Sequence, residues 1–361
     1  MATIRTFVKN DIPDVGRLYL RTFRGIAGVP SDRLIRYFDL VFFQHPYQDD
    51  ALPSLVYEDD RGRIIGFLGV MTRRLSMKGR PLRMAVSTQF MVDPDSRNSL
   101  AALHLLQRFL TGPQDLALAD GANATSRRLW ERSGGTTVPL YSFYWTRTLR
   151  PVRHAVDSMT RHSGLHGIIR PVITPLCGVI DSIWQRAHGY RGPEGLTEAE
   201  LDLQTLCESL PKVSARMVLA PVYDMASLTW MMELVRQKTK HGPLQSTVVR
   251  NSRGEVIGWH LYYLNASVSQ VIQIAALSGA EEQVIEHLFY HAWQRGSAAI
   301  SGRVEPKYMH ELSRAHCRFT TGSAFLVHAR DREILHAITA GEAFLTRLEG
   351  EWWNCFSEVA Q

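Results

Sequence analysis

Cysteine is scarce in this chain and scattered. Cys177, Cys207, Cys317 and Cys355 are the only four in 361 residues, and none stands in a C-x-x-C pair. That spacing gives no support to a structural zinc site or to dithiol chemistry, and it suits a reducing compartment. His154, His162, His166 and His188 are too irregularly spaced to read as metal ligands. No apolar run reaches the length of a membrane span. Met1-Ala2-Thr3-Ile4-Arg5 leads straight into a strand-like pattern, not a signal peptide, so a cytoplasmic location is expected. A dense Lys/Arg run is missing too, which argues against a nucleic-acid partner. The formal charge of +6 is a modest basic excess that favours anionic ligands such as nucleotides, phosphates or acidic glycans.

What is present is a repeat. Arg61-Gly62-Arg63-Ile64-Ile65-Gly66-Phe67 is echoed by Arg253-Gly254-Glu255-Val256-Ile257-Gly258-Trp259. Each follows a short apolar run, Leu55-Val56-Tyr57 or Thr247-Val248-Val249, and each precedes a longer one. Both read as a hairpin turn between strands, and a repeat of this kind predicts two copies of one fold. The length suits about two domains. At 45% hydrophobic and 21% charged, each can bury a core.

In the first half, Ile4–Phe7 reads as a strand. Asp11, with Pro13 just behind it, reads as the cap of a helix. Ser31 opens a second helix through Phe43, stopped by His45-Pro46. Strands follow at 54–58, 64–75 and 82–92, then a helix over 98–110, a buried strand at Leu116–Ala119, a helix over 124–133 ended by Gly134-Gly135, and a last strand over 138–147. This β-α-α-β-β-β-α-β-α-β order, over roughly residues 3–150, resembles the GNAT acyltransferase superfamily. The strand Met84–Val92, the loop Val92-Asp93-Pro94-Asp95-Ser96-Arg97, and Asn123 seven residues before the aromatic Trp130 carry the resemblance.

The resemblance implies a fold class and a donor site. The fold is α/β (α+β): two tandem GNAT-like domains, each a mixed, mostly antiparallel sheet flanked by helices. Acetyl-CoA or another acyl-CoA is the implied co-substrate. In the family, backbone N–H groups at a helix start converge on the pyrophosphate, and small residues let it approach. The implied cofactor-binding positions are Met91, Val92, Arg97, Asn98, Ser99, Leu100, Ala101, Ala102, Asn123 and Trp130. Val92, Pro94, Arg97 and Ala102 keep the family pattern, whereas Leu100 stands where a glycine is expected and costs close backbone approach. Trp130 stands where the family usually carries a tyrosine that protonates the leaving thiolate, and an indole N–H is a donor but not a useful acid. Tyr141, Tyr144 and Glu131 are therefore the candidate acids. Asp120, at the end of the buried strand, is the candidate general base for an attacking amine. Asn123 also reads as the cap of the helix that follows.

Residues 151–212 match neither copy and read as a helical connector between domains at 1–150 and 213–361. Its stretch from Leu165 to Trp184, with Pro171 and Pro175 inside it and Arg186, His188 and Arg191 beyond, raises peripheral membrane contact. A connector packed on its own domains is the plainer reading. Thr197-Glu198-Ala199-Glu200 reads as a helix start with acids in its first turn. The second half repeats the pattern: a strand at Val218–Tyr223, a helix over 226–240, strands at 245–250, 256–264 and 268–277, a helix from Ala280, and a strand near 298–304. Ser278-Gly279-Ala280-Glu281-Glu282 replaces the phosphate loop, and two carboxylates there repel a pyrophosphate. This half reads as a degenerate copy, with His260 and Tyr262 as candidates for lining an acceptor groove. Tandem GNAT chains with one worn copy resemble the FemABX-type aminoacyltransferases. The run Ala343–Trp353 resembles bacterial GNAT proteins of surface-polysaccharide pathways. The implied activity is N-acyl transfer from acyl-CoA to an amine on a small molecule, amino sugar or glycan precursor. The alternative is a non-catalytic GNAT-like binding protein for an anionic ligand.

Overall fold

The computed structural model describes residues 2–96, 100–162 and 192–360. Arg97, Asn98 and Ser99 lie outside the described residues, as does the whole Leu165–Trp184 stretch with Arg186, His188 and Arg191. Among the described residues no helix is long and apolar enough to cross a membrane.

The first half follows its expected order. Strand β1 (Thr3–Thr6) leads to helices α1 (Ile12–Tyr19) and α2 (Asp32–Phe42), then to β2 (Leu55–Glu58), β3 (Ile64–Met77) and β4 (Arg80–Val92). Helix α3 (Ala101–Leu110), β5 (Leu116–Ala122), α4 (Ala124–Arg132), the short β6 (Thr136–Thr137) and β7 (Phe143–Thr148) come next. Ser31 Oγ accepts from Leu34 N at the start of α2, as the sequence predicts. Asp11 does not cap α1. Its carboxylate takes two bonds from Arg5, at 2.6 and 2.8 Å, and one from Val8 N. The opposite charge of a guanidinium in reach outcompetes the first-turn amides.

Beyond α5 (Pro151–His162) come β8 (Thr197–Glu200), α6 (Leu203–Val213), β9 (Leu219–Pro221), α7 (Met225–Gln237), β10 (Leu244–Arg250), β11 (Val256–Tyr263) and β12 (Val268–Ala276). The chain ends with α8 (Glu281–Gln294), β13 (Ala299–Arg303), α9 (Met309–Arg314), β14 (Arg318–Thr321), β15 (Ala324–His328), α10 (Arg332–Thr339) and α11 (Phe356–Val359). The expected helix start at Thr197–Glu200 is instead an edge strand, paired antiparallel to β10 from Thr247↔Glu200 to Arg250↔Thr197. The helix begins after it, where Asp202 accepts from Thr205 N. The acids of 198 and 200 therefore do not complement a dipole; they sit on a strand.

The chain forms two compact units, and neither is continuous in sequence. One comprises residues 1–142, 217–238 and 323–361; the other comprises 143–216 and 239–322. This division differs from the contiguous intervals 1–150, 151–212 and 213–361. The first unit's sheet runs β1-β2-β3-β4-β5-β15-β6, with β9 paired to the end of β3. The second unit's sheet runs β14-β7-β13-β12-β11-β10-β8. Strands β8, β10, β11, β12 and β13 thus repeat β1 to β5. The place beside the fifth strand is exchanged: β15, late in the chain, fills it in the first unit, and β7 fills it in the second. The strand expected over 138–147 and the strand expected over Val218–Tyr223 therefore belong to the sheet opposite to the one anticipated. Strand period reports which face a side chain occupies; it says nothing about which sheet supplies the neighbour.

Packing shows why the exchange is specific. Trp145 of β7 is 1% exposed and meets Phe289 edge-on at 5.7 Å in the second core. Gly302 opposite makes room, since a Cβ there would come within 2.8 Å of the Trp145 ring. In the first unit, Phe325, Leu326 and Val327 of β15 are fully buried. Tyr141 stacks on Phe325 at 5.0 Å. One face of the first sheet is covered by Leu105, Leu106 and Phe109 of α3, packed on Leu68, Val70, Ala85 and Leu326. The other is covered by an aromatic cluster in which Phe67 of β3 meets Phe7, Phe38 and Phe42 at 4.9 to 6.1 Å. Since β5 lacks a neighbour on one side without β15, residues 1–142 expressed alone should fail to fold cooperatively. Circular dichroism and chemical unfolding of that fragment, against the full chain, check this.

Candidate functional site

Strands β4 and β5 run parallel but pair only over Met84↔Leu116, Ala85↔Ala117 and Val86↔Leu118. Beyond that point they part. Strand β4 stays with β3, where the register shifts between Phe67 and Gly69 and Gln89 takes a positive φ of 50°. Strand β5 continues with β15 along its other edge, as far as Ala122↔Ala324. The parting of parallel strands is the usual place for a ligand in an open sheet.

Asp120 stands at this parting, 2% exposed. Its Oδ1 accepts from Glu351 N at 2.9 Å. The approach is closed tightly enough that a Cβ on Gly350 would lie 1.9 Å from Asp120 Oδ2, so position 350 must be glycine. Burial, and then the charge of Asp120, push the Glu351 carboxyl up to about 8. Hydrogen bonds from the Thr88 side chain and the Gln89 backbone, with the Lys238 charge, work the other way. The same segment is fixed from beyond: Asn354 Nδ2 donates to Thr88 Oγ1 at 3.0 Å, and Lys238 Nζ donates to the carbonyls of Trp352 and Asn354 at 2.5 and 3.0 Å. Two carboxyl groups therefore share the strand parting, one of them with a proton affinity in the range of a working base.

Asp120 is the expected catalytic residue that enters this pair. Tyr141 is fully buried, and its hydroxyl donates to Ala343 O at 2.7 Å, so its proton serves the fold. Glu131 is on the outer side of α4, where it accepts from Thr137 Oγ1 and lies 3.9 Å from Arg127. Sequence reasoning misses Glu351. A weak signal for it exists: Glu349 and Glu351 stand between Leu348 and Trp352-Trp353, among large apolar side chains that demand partners for the acids.

The expected donor positions divide. Asn123 is an N-cap, accepting from Thr125 N and Ser126 N. Trp130 is 3% exposed and donates its indole N–H to Val327 O at 3.1 Å. It is a clamp on β15, and Gly135 lies so close that a Cβ there would meet the ring at 1.9 Å. Met91 is buried on β4, and Val92 pairs with Gly66. Leu100 is the cap residue of α3, 59% exposed, and offers no side-chain acceptor to the first turn. Ala101 and Ala102 begin the helix, which carries no acid in that turn. Just after β4, Asp93 and Asp95 pair with Arg21 at 2.8 and 2.7 Å. A cleft of about 300 Å³ beside them is lined in part by Arg17, Arg21 and Arg63.

In the second unit the matching helix start is acidic, as expected, and Gly279 N donates to Glu281 at 2.6 Å. His260 and Tyr262 do not line a groove. Both are 0% exposed. His260 Nε2 lies 3.1 Å from His287 Nδ1, and Tyr262 OH lies 2.8 Å from His291 Nδ1. Their strand is buried on both faces, so alternation puts neither residue at a surface. Among the described residues no group of three or more side chains is arranged to hold a metal ion.

No protein-family model matches the chain, and no curated protein matches it. Solved structures do. A probable N-acyltransferase from Enterococcus faecalis V583, a conserved protein of unknown function, matches with a TM-score of 0.62 at 9% identity, over 91% of this chain and 73% of its own. A GCN5-related N-acetyltransferase from Anabaena variabilis ATCC 29413 matches with a TM-score of 0.60 at 12% identity, over 92% of this chain and 74% of its own. One from Kribbella flavida gives 0.54 at 10% identity, over 92% and 72%. At these identities the likeness concerns the fold: this chain has the mixed, helix-flanked sheets of GNAT proteins.

Two outcomes follow from the carboxyl pair. Gly350→Ala should destabilise the protein by roughly 1–3 kcal/mol through overpacking, read from denaturant unfolding. A carboxyl held protonated by the fold binds its proton more tightly folded than unfolded. Its contribution is full below the unfolded value of 4.5 and is lost as pH rises toward about 8. The melting temperature should therefore fall across that window, and Glu351→Gln should flatten the fall.

Proposed function

We propose that this protein is an N-acyltransferase that moves an acyl group, acetyl in the simplest case, from acyl-CoA to an amine. The observation that carries the reading is the Asp120–Glu351 pair at the parting of β4 and β5, with the Glu351 carboxyl raised to about 8. A primary amine is mostly protonated near neutrality and must lose a proton to attack. A carboxylate of raised proton affinity, held next to backbone amides, is suited to take it. Acyl-CoA, when bound, supplies the thioester. Glu351 takes one proton from the ammonium group, the freed amine nitrogen bonds to the acyl carbon, the carbon–sulfur bond breaks, and the second nitrogen proton passes through solvent to the leaving thiolate. Asp120 positions Glu351 through its backbone N–H and keeps its proton affinity high.

The donor side has support of a simpler kind. Helix α3 begins with two alanines and no acid, which suits a diphosphate near its first-turn amides. Leu100 is largely in solvent, so its bulk is not wedged into the core. Arg97, Asn98 and Ser99 complete the proposed loop. An amino sugar or polysaccharide precursor is the acceptor we favour, in keeping with the C-terminal resemblance. The tyrosine-type acid of the family has no counterpart at Trp130, whose N–H is bonded to Val327 O. That observation favours the second reading, a GNAT-like binding protein that holds an anionic ligand without turnover. Leu100→Gly separates them: a donor pocket should gain affinity for coenzyme A, and a repurposed groove should not respond.

Calorimetric titration with acetyl-CoA and with CoA tests the donor. Micromolar binding that weakens on Arg97→Glu is expected; no binding at millimolar ligand by folded protein overturns the proposal. Thiol release from acetyl-CoA with glucosamine as acceptor tests the base. Wild-type kcat/KM should rise with pH and level off near 8. Glu351→Gln should lower it about a hundredfold and remove that inflection.

A further inference from the structure

The connection between α1 and α2 presents large apolar side chains to water on a built frame. Phe23, Ile26 and Val29 are 50, 55 and 82% exposed. The segment is not slack. A π-helical turn over Leu20–Arg24 ends at Gly25 with φ 66°, and Ile26 N bonds back to Leu20 O at 3.2 Å. At the far end Pro30 packs under Gly16, where a Cβ would come within 2.8 Å of the proline ring. Phe23 keeps a ring contact with Tyr19 at 5.2 Å. The frame therefore holds three apolar side chains outward. Clustered exposure of this kind marks a docking surface.

Its charge says what it docks on. Between Asp14 and Asp39 the chain carries Arg17, Arg21, Arg24, Arg33 and Arg36 against three acids, Asp14, Asp32 and Asp39, the last of them paired with Lys9 at 2.9 Å. Arg17 and Arg21 are engaged by Asp14 and by Asp93 and Asp95. Arg24 donates to a carbonyl, Ser357 O, which does not neutralise its charge. Arg33 and Arg36 are exposed on the first turns of α2. A segment that exposes apolar side chains and carries arginines before and after them in sequence suits the boundary between acyl chains and anionic headgroups.

We infer that Phe23, Ile26 and Val29 insert into the surface of an anionic lipid bilayer while Arg24, Arg33 and Arg36 meet its phosphates, docking the protein peripherally. Vesicle flotation of the full chain tests this. It should float with vesicles of about 70:30 phosphatidylcholine and phosphatidylglycerol and not with phosphatidylcholine alone, and about 0.5 M NaCl should weaken the binding. Ile26→Ser with Val29→Ser should lower partitioning about tenfold or more. Phe23→Trp should gain fluorescence that brominated lipid quenches beyond the wild-type background. No flotation with anionic vesicles overturns the inference. So does flotation that is unchanged by the double substitution, or that leaves the indole introduced by Phe23→Trp unquenched, since binding then lies elsewhere in the chain. An emission shift of that indole that follows protein concentration without vesicles would identify the occupant as a second copy, and would overturn it too.

Discussion

The ladder between β5 and β15 is the interaction on which the first unit depends. It joins Ala122, Ala119, Leu118 and Ala117 to Ala324, Leu326, Val327 and His328. Strand β15 lies along the edge of β5 away from β4, and Ala117 and Leu118 belong to both ladders. Trp130 is consumed by it, since its indole N–H is bonded to Val327 O. The same exchange returns the chain to the first unit, so that the segment after β15 reaches Asp120 with Gly350 and Glu351. One pairing choice thus brings the second carboxyl to the strand parting.

Such a gap between parallel strands recurs in the second unit, where β12 and β13 pair only over Val268↔Ala299 to Gln270↔Ser301. The two copies differ in what lies around it. The first has two alanines at the start of its helix; the second has Glu281 and Glu282. The same architecture therefore offers an anion-friendly helix start in one copy and an anion-repelling one in the other. The second unit also buries a histidine cluster that reaches the surface at Glu198, whose carboxylate lies 3.1 Å from His287 Nε2. Burial holds His260 and His291 well below the ordinary histidine range, so they are neutral bonding partners at physiological pH.

The elements themselves are largely legible in the sequence. The hairpin repeat, the caps at Ser31 and Asn123 and the glycine stop at Gly134 are local signals, and local physics decides them. Sheet membership is not legible. Phe143–Thr148 reads as a strand from its own residues, yet its neighbour is chosen by the fit of Trp145 against Gly302, far along the chain. Asp120 is visible because an acid at the end of an apolar strand is conspicuous. Glu351 is hidden because its significance lies in a tertiary contact that no spacing encodes. Trp130 misleads in the opposite sense: its position suggests a ligand contact, and the core claims it.

The exchange also bears on how the protein is made. A chain whose first domain is contiguous can complete that domain while the ribosome is still translating the second. Here the first sheet lacks an interior strand until residue 328 has emerged. At about 5–20 residues per second, most of the synthesis time passes with β5 unpaired on one edge. That apolar strand, Leu116-Ala117-Leu118-Ala119, is a natural client for a chaperone during those seconds. Nascent chains stalled before β15 should therefore be held rather than folded, and the protein's yield in a cell becomes a matter of escort as much as of stability.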